Sequence, residues 1–251
     1  QLPQSPYADV KFSQRTHHAP ALYGNLPVYI TFFSEEGDTI TRKTVLNGNS
    51  GSATFNNLPF IPKFALAGYS GNLLSADVYD EVEINRNGSF TDRFSKMILS
   101  ASNLQDTARV IAMHHYAGPG GNIPTSSDYK LSTSHFWTVQ GWNLDKANIS
   151  ARVNYRGTLN ELDEDLVSAT EDSIMVLYRK DATEDWTLYP YQVKNVQGIS
   201  TNGFGYITIN RLQVGDYVFA NTSQTIGLTE TSASNNFIKI YPNPATDELI
   251  I

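Results

Sequence analysis

The sequence predicts an all-β protein, and three observations lead to this prediction. Aromatic residues make up 12% of the 251 residues, with 14 Tyr and 12 Phe, and such side chains are frequent in strands. Seventeen Gly and eleven Pro supply residues for many turns. Between the turns, short runs such as 27–33 and 39–46 alternate apolar and polar residues. Because short strands at this spacing are typical of sandwiches, we expect two immunoglobulin-like β-sandwich domains.

The strand signals fall into two series, which predict the domain boundaries. The first series ends at an Asn-Arg-Asn-Gly turn at residues 85–88, and the second runs from about residue 94 to residue 221. Ser, Thr and Asn then dominate residues 223–236, which is typical of a linker. We therefore expect β-sandwich domains at 1–91 and 92–222, a linker at 223–236 and a separate segment at 237–251.

Charge and composition exclude several classes of partner. The chain carries a formal net charge of −7, and an acidic surface repels the phosphate backbone of nucleic acids. It contains no Cys, so disulfides and a thiolate nucleophile are excluded. No stretch approaches the roughly 20 apolar residues that a membrane-spanning helix needs. We expect neither a nucleic-acid partner nor a membrane span.

A proline-rich motif near the C-terminus carries the strongest functional signal. It consists of Tyr241, Pro242, Asn243, Pro244, Ala245, Thr246 and Asp247. The two prolines fix two φ angles and remove two hydrogen-bond donors, so a strand must break there. Asn243 and Asp247 can close side-chain turns before the next apolar run. The expected shape is a rigid corner between two strands.

This motif resembles the beginning of the type IX secretion C-terminal sorting domain of Bacteroidetes. The resemblance covers residues 237–251, and the remaining strands of such a domain are expected to be missing from this sequence. It implies that the protein passes through the periplasm and is then secreted or attached to the cell surface. It also implies the type IX secretion machinery as a partner of the complete C-terminal domain.

A second resemblance covers much of the remaining chain. Residues 114–119, 135–141 and 171–179 are similar to the β-rich region that follows the peptidase domain in secreted aminopeptidase N-like metallopeptidases. Residues 9–14 and 27–33 are similar to the sandwich that precedes that region. The resemblance implies a non-catalytic accessory region, packed against an upstream catalytic domain in a parent protein that is a zinc metallopeptidase.

The sequence itself contains no catalytic signature. The His-Glu-x-x-His of zinc peptidases and the Gly-x-Ser-x-Gly of serine hydrolases are both absent from the 251 residues. His114 and His115 are adjacent, and neighbouring side chains of a strand point to opposite faces, so they do not share a metal. We expect one to face solvent and the other to be packed, with His135 able to approach either. We predict no catalytic residue, metal or cofactor.

A group of acidic residues offers a weaker metal-binding alternative. Glu161, Asp163, Glu164 and Asp165 could supply oxygen ligands to Ca²⁺. The group lacks the spacing and the glycine of a regular calcium loop. We therefore predict a solvated acidic turn.

Aromatic residues provide the alternative function, a carbohydrate- or surface-binding β-sandwich module of a secreted enzyme or adhesin. Trp142, Tyr189 and Tyr191 could form a flat platform for sugar rings. The competing interpretation is that large aromatic side chains fill the space between two sheets, which we favour for Trp137 and Trp186.

Overall fold

The computed structural model describes residues 5–14, 21–69, 71, 76–91, 93–124, 128–167 and 171–222. These residues form seventeen strands, one 3₁₀-helix and one short α-helix. The first strands are β1 (Ala8–Ser13), β2 (Leu26–Phe33), β3 (Thr39–Leu46), β4 (Ser50–Phe55) and β5 (Phe64–Ala67). The next are β6 (Asp77–Ile84), β7 (Gly88–Thr91), β8 (Met97–Ser102), β9 (Ala108–His115), β10 (Tyr129–Leu131), β11 (Phe136–Trp142) and β12 (Asn148–Arg156). The last are β13 (Met175–Arg179), β14 (Thr187–Leu188), β15 (Gln192–Val196), β16 (Phe204–Ile209) and β17 (Gly215–Thr222).

The helices are short connections between strands. The 3₁₀-helix, Leu144–Lys146, links β11 to β12, and the α-helix, Glu164–Val167, lies between β12 and β13. Within the described ranges, neither is long or apolar enough to cross a bilayer. The all-β prediction is confirmed, and every described strand pair is antiparallel.

Strands β1 to β5 form the small sandwich. One sheet pairs β1 with β4, and the other has the order β3-β2-β5. Burial alternates along β1, where Val10 and Phe12 turn inward, because successive side chains of a strand point to opposite faces. They pack against a core that contains Ile30, Phe32 and Phe55. This core is small, and it covers only one face of β2. Phe33, at the end of β2, packs against the large sandwich instead.

Strands β6 to β17 form the large sandwich. One sheet has seven strands in the order β14-β13-β17-β11-β9-β6, with β10 also paired to β17. The other has five strands in the order β15-β16-β12-β8-β7. The facing sides of the two sheets bury the main core, where Trp137, Tyr155 and Phe219 are each at most 2% exposed. The inward position that we favoured for Trp137 agrees with this burial.

The strand pairing places the first strands of the large sandwich before the predicted domain boundary between residues 91 and 92. Strand β6 pairs with β9 along its whole length, and β7 pairs with β8. Both strands had been expected to belong to the domain at 1–91. The first series of strand signals continues through residue 84 without a break, so the sequence pattern does not mark where pairing partners change.

The continuous run at residues 186–193 is divided between the two sheets. Strand β14 lies at the edge of the seven-stranded sheet and β15 at the edge of the five-stranded sheet, with Pro190 between them. Proline cannot donate to a ladder, so the chain can leave one sheet there and join the other. The side chain of Gln192 then bonds the backbone of Val176, and Lys194 donates to the Glu171 carbonyl at 2.9 Å.

An aromatic cluster joins the small sandwich to the outer face of the seven-stranded sheet. Phe33 and Leu66 of the small sandwich pack with Ile111, Met113 and Trp142 of the large one. The indole nitrogen of Trp142 donates a hydrogen bond to the Ser34 carbonyl at 2.9 Å. Trp142 is 7% exposed, so it contributes both buried area and a fixed polar contact to this junction.

We expect substitution of Trp142 to weaken this junction. Trp142→Ala should lower the free energy of unfolding by about 3–5 kcal/mol, because it removes a large buried side chain. Trp142→Phe keeps most of the packing and loses only the bond to Ser34, so about 1 kcal/mol is expected. Urea denaturation measures both values. Equal effects of the two variants would contradict the packing role.

Candidate functional site

Two polar clusters lie on opposite faces of β9 and β11, and both begin at the adjacent histidines. His114 points into the main core and is 1% exposed, whereas the side chain of His115 lies on the outer face and is 17% exposed. This is the opposite orientation that the strand geometry predicts. The pairing of Trp137 with His114 and of Phe136 with His115 extends each face onto β11.

The inner cluster is a buried chain of two imidazoles and a carboxylate. Nε2 of His114 lies 2.9 Å from Nδ1 of His135, and Nε2 of His135 lies 2.7 Å from Oδ1 of Asp163. The second oxygen of Asp163 accepts the backbone N–H of Arg156 at 2.8 Å. The Trp137 ring stacks on His114 with centroids 5.0 Å apart. The expectation that His135 can approach one of the paired histidines agrees with this geometry.

Burial keeps His114 in its neutral form. Loss of solvation, together with the smaller effects of His135, Lys96 and His115, lowers the pKa of His114 from 6.5 to about 2. Nδ1 of His114 has no hydrogen-bond partner within the described part of the chain. Neutral His114 can donate from Nε2 to His135, which in turn donates to Asp163, so one tautomer satisfies both contacts.

Asp163 differs from the prediction of a solvated acidic turn. Its side chain is 3% exposed and bonds His135 and the Arg156 backbone. Glu161 and Glu164 of the same group lie at least partly in solvent, as expected for a surface turn. The difference arises because the turn folds back onto the end of β12, where the Asp163 N–H donates to the Arg156 carbonyl at 3.0 Å and the Asp163 carboxylate accepts the Arg156 N–H. Spacing along the chain cannot show this direction.

The outer cluster is a continuous row of polar side chains across five strands. Asp77 Oδ1 lies 2.6 Å from His115 Nδ1, and His115 Nε2 lies 3.0 Å from Thr138 Oγ1. The Thr138 hydroxyl donates to Asp216 Oδ1 at 2.7 Å. Arg179 Nε donates to the other oxygen of Asp216 at 2.9 Å. The row therefore connects β6, β9, β11, β17 and β13.

Asp77, His115 and Thr138 have the order of groups that activates a hydroxyl nucleophile in hydrolases. However, the Asp216 carboxylate can only accept, so the single proton of the Thr138 hydroxyl points to Asp216. His115 Nε2 therefore faces a hydroxyl oxygen whose only proton is engaged by Asp216, so Thr138 has no proton directed at His115. The geometry favours a fixed link between strands over an activated nucleophile.

Arg179 anchors the far end of this row. Its side chain is 5% exposed, and its guanidinium contacts Asp216 through both Nε and Nη2. Nη1 donates to the Gly120 carbonyl at 2.7 Å, and the indole nitrogen of Trp186 donates to the same oxygen at 2.8 Å. The guanidinium also lies over the Trp186 ring at 4.3 Å. Arg179 thereby fixes the loop at Gly120 to the outer face of the sheet.

Trp186 is fully buried, but its position differs from the one that we favoured. It packs with Met175, Leu177 and Val218 on the outer face of the seven-stranded sheet, beneath the Gly120 loop. It therefore does not fill the space between the two sheets. Trp186 directly precedes β14, which lies at the edge of the seven-stranded sheet. The alternation of apolar and polar residues therefore did not show which face of the sheet the Trp186 side chain covers.

The aromatic platform predicted from the sequence does not form a single exposed surface. Trp142 is 7% exposed and Tyr189 is 2% exposed, whereas Tyr191 is 40% exposed. Trp142 is buried by the small sandwich, and the Tyr189 hydroxyl donates to the carbonyls of Asn210 and Arg211. Only Tyr191 of the three remains accessible to a ligand.

The motif at Tyr241, Pro242, Asn243, Pro244, Ala245, Thr246 and Asp247 lies outside the described residues. Among residues that the structure describes, no three His, Asp or Glu side chains are grouped so that they could hold a metal ion. No family model, curated protein or solved structure matches the chain.

Sequence reasoning missed Asp77, Thr138, Arg179 and Asp216 as members of one cluster. A signal was present for two of them, since Arg179 and Asp216 are charged residues at the ends of strongly apolar strands. Charged side chains at such positions are rarely buried unless they are paired. The sequence could thus have indicated a buried ion pair, although not which strands pair.

We expect acid to destabilise the protein through His114. Because the pKa of His114 is lowered from 6.5 to about 2, the unfolded chain binds more protons than the native chain between these values. The free energy of unfolding should therefore fall as the pH decreases below 6.5, by up to about 1.4 kcal/mol per pH unit from this group. Urea denaturation from pH 7 to pH 4.5 measures the slope.

His114→Gln should flatten this dependence, because the variant has no imidazole to protonate at that position. His115→Gln is the matched control, since it replaces the neighbouring imidazole on the opposite face; it should keep most of the slope, because His115 is the smallest of the causes that lower the His114 pKa. Parallel stability curves for wild type and His114→Gln would contradict the role of His114.

We expect the Arg179–Asp216 pair to contribute strongly to stability. Arg179→Leu leaves the Asp216 carboxylate buried without its cation, which should cost about 3–5 kcal/mol. As a control, Lys63→Met breaks an ion pair with Glu35 whose side chains are 30% and 66% exposed, and about 0–1 kcal/mol is expected.

The double variant Arg179→Leu/Asp216→Leu removes both charges and should be more stable than Arg179→Leu alone. All of these free energies of unfolding come from urea denaturation at pH 7. The stabilising role of the pair would be contradicted if Arg179→Leu lowered the free energy of unfolding by less than Lys63→Met does. It would also be contradicted if the double variant were no more stable than Arg179→Leu.

Proposed function

We propose that this chain is a non-catalytic accessory region of a secreted or cell-surface, metallopeptidase-like protein that is exported by type IX secretion. The single observation that carries the export part is the proline-braced motif at residues 241–247, which follows a polar linker. The accessory part rests on the resemblance of residues 114–119, 135–141 and 171–179 to the region that follows a peptidase domain.

The two polar clusters support a non-catalytic role. His135 and His115 each use both ring nitrogens for contacts with protein groups, and Asp163 and Asp216 are held by hydrogen bonds on both oxygens. Groups that are committed to internal contacts are suited to hold strands together. Chemistry on a substrate would require at least one of them to be released.

The position of β17 supports the idea of a rigid region that ends in an export signal. Strand β17 pairs with β10 and β11 on one side and with β13 on the other. It ends at Thr222, directly before the predicted linker. A force applied to the chain beyond this residue acts on a strand that is hydrogen-bonded along both edges. Such a strand suits a region that connects a catalytic domain to a sorting signal.

We expect Pro242→Ala/Pro244→Ala to block export of the full-length gene product in a bacterium that has type IX secretion. The substitutions free two φ angles and restore two backbone donors, so the rigid corner is lost. The protein should then accumulate in the periplasm instead of reaching the cell surface or the medium. Immunoblotting of the cell fractions measures its distribution.

The matched control is Pro59→Ala/Pro62→Ala, which changes the same number of prolines in the loop between β4 and β5 and should leave export intact. Normal export of the motif variant, or of wild type in a strain without the secretion machinery, would overturn the export proposal. The accessory proposal requires His-Glu-x-x-His upstream of these residues in the same gene product, and its absence there would overturn that part alone.

A further inference from the structure

An open groove lies at the end of the large sandwich where β16 turns into β17. Its volume is about 690 Å³, within the range of pockets that bind small molecules and short polymers. One wall is formed by residues between 141 and 148 other than Trp142 and Lys146, another by Tyr178, Lys180 and residues 211–214, and Lys63 reaches the groove from the small sandwich. The groove does not include any member of the two polar clusters.

Positive charge converges on this groove from three separate parts of the chain. Lys63, Lys180 and Arg211 line it, together with a single carboxylate, that of Asp145. Lys63 is paired with Glu35 at 2.6 Å. Within the described ranges, no carboxylate lies at ion-pair distance from Lys180 or Arg211. In a chain of net charge −7, Lys180 and Arg211 thus place two positive charges, neither at ion-pair distance from a described carboxylate, on one groove.

An aromatic surface adjoins these cations. The Arg211 guanidinium lies over the ring of Tyr191 at 4.4 Å, and Tyr191 is 40% exposed. The Tyr178 ring lines the groove, and its hydroxyl is fixed by donating to the Val214 carbonyl at 2.7 Å. Lys180 and Arg211 thus line the groove, and Tyr191, one ring face of which carries the Arg211 guanidinium, lies beside it.

The backbone holds Arg211 in a fixed position. Its φ is 52°, a left-handed conformation that few residues with a side chain adopt. The buried hydroxyl of Tyr189 donates to the Arg211 carbonyl at 2.6 Å and to the Asn210 carbonyl at 2.9 Å, which stabilises this turn. A side chain that is positioned before a ligand arrives loses less conformational freedom on binding.

We propose that this groove binds an acidic oligosaccharide, whose carboxylates contact Lys180 and Arg211 and whose ring packs on the face of Tyr191 that Arg211 does not cover. Lysine and arginine form charge-assisted hydrogen bonds with carboxylates. The apolar face of a pyranose ring matches an exposed tyrosine ring, and an open groove admits a linear chain of sugars. This binding is independent of the proposed export and accessory role.

The test is calorimetric titration of the chain of residues 1–251 with trigalacturonic acid, and with neutral galactotriose as the comparison ligand, at low salt. The acidic sugar should bind and the neutral sugar should bind at least about tenfold more weakly, since a hydrogen bond to a charged group typically contributes more than a tenfold change. Lys180→Gln and Arg211→Asn should each weaken binding of the acidic sugar by a similar factor. Asn is chosen at 211 because it tolerates left-handed backbone.

Lys43→Gln is the matched control, because Lys43 also lies near a tyrosine ring, that of Tyr29 at 5.6 Å, but it is outside the groove. This variant should bind as wild type does, and near-ultraviolet circular dichroism should show that all three variants are folded. Equal loss in Lys43→Gln, equal binding of the neutral sugar, or no binding of the acidic sugar to wild type would each overturn the proposal. Export is measured separately, so its failure leaves this result unaffected.

Discussion

Antiparallel pairing of β9 with β11 sets the position of both polar clusters and of the junction with the small sandwich. In this register His114 lies opposite Trp137 and His115 lies opposite Phe136. Side chains on the inner face of these strands thus lie in the main core, while those on the outer face include Trp142 and members of the polar row. A slip of one residue in either strand would exchange the two faces and bury the wrong side chains. The register is therefore maintained by hydrophobic burial on one face and by hydrogen bonds on the other.

Much of the fold could be predicted because alternation along a strand is a local property. The pattern of β2, β3 and β9 indicates strand and face from a few consecutive residues, and the opposite orientation of His114 and His115 follows from it. The choice of pairing partner is not local. Strands β6 and β7 join β9 and β8, and the run at residues 186–193 divides between two sheets, so the partner of a strand depends on residues far from it in the chain.

The candidate sites were harder to predict for the same reason. His135 and Asp163 are 28 positions apart, and Thr138 and Asp216 are 78 apart, yet each pair is in direct contact. Periodicity indicates which way a side chain points but not what lies opposite it. Tyr189 is an example, since its sequence suggested exposure and the turn at Arg211 buries its ring. The groove is formed by loops, whose positions depend on the whole sandwich.

The three tryptophans share one feature with a practical consequence, since each ring packs against a different basic side chain. Trp137 stacks on His114 at 5.0 Å, Trp142 lies under Arg109 at 5.2 Å, and Trp186 lies under Arg179 at 4.3 Å. The arginines keep their charge at every pH at which the protein is folded, whereas an imidazole can gain one. Burial keeps His114 neutral while the core is intact, because its pKa is lowered to about 2. A proton can therefore reach the neighbour of Trp137 only once the main core has opened, so the emission of Trp137 reports on the integrity of the interior without any attached dye.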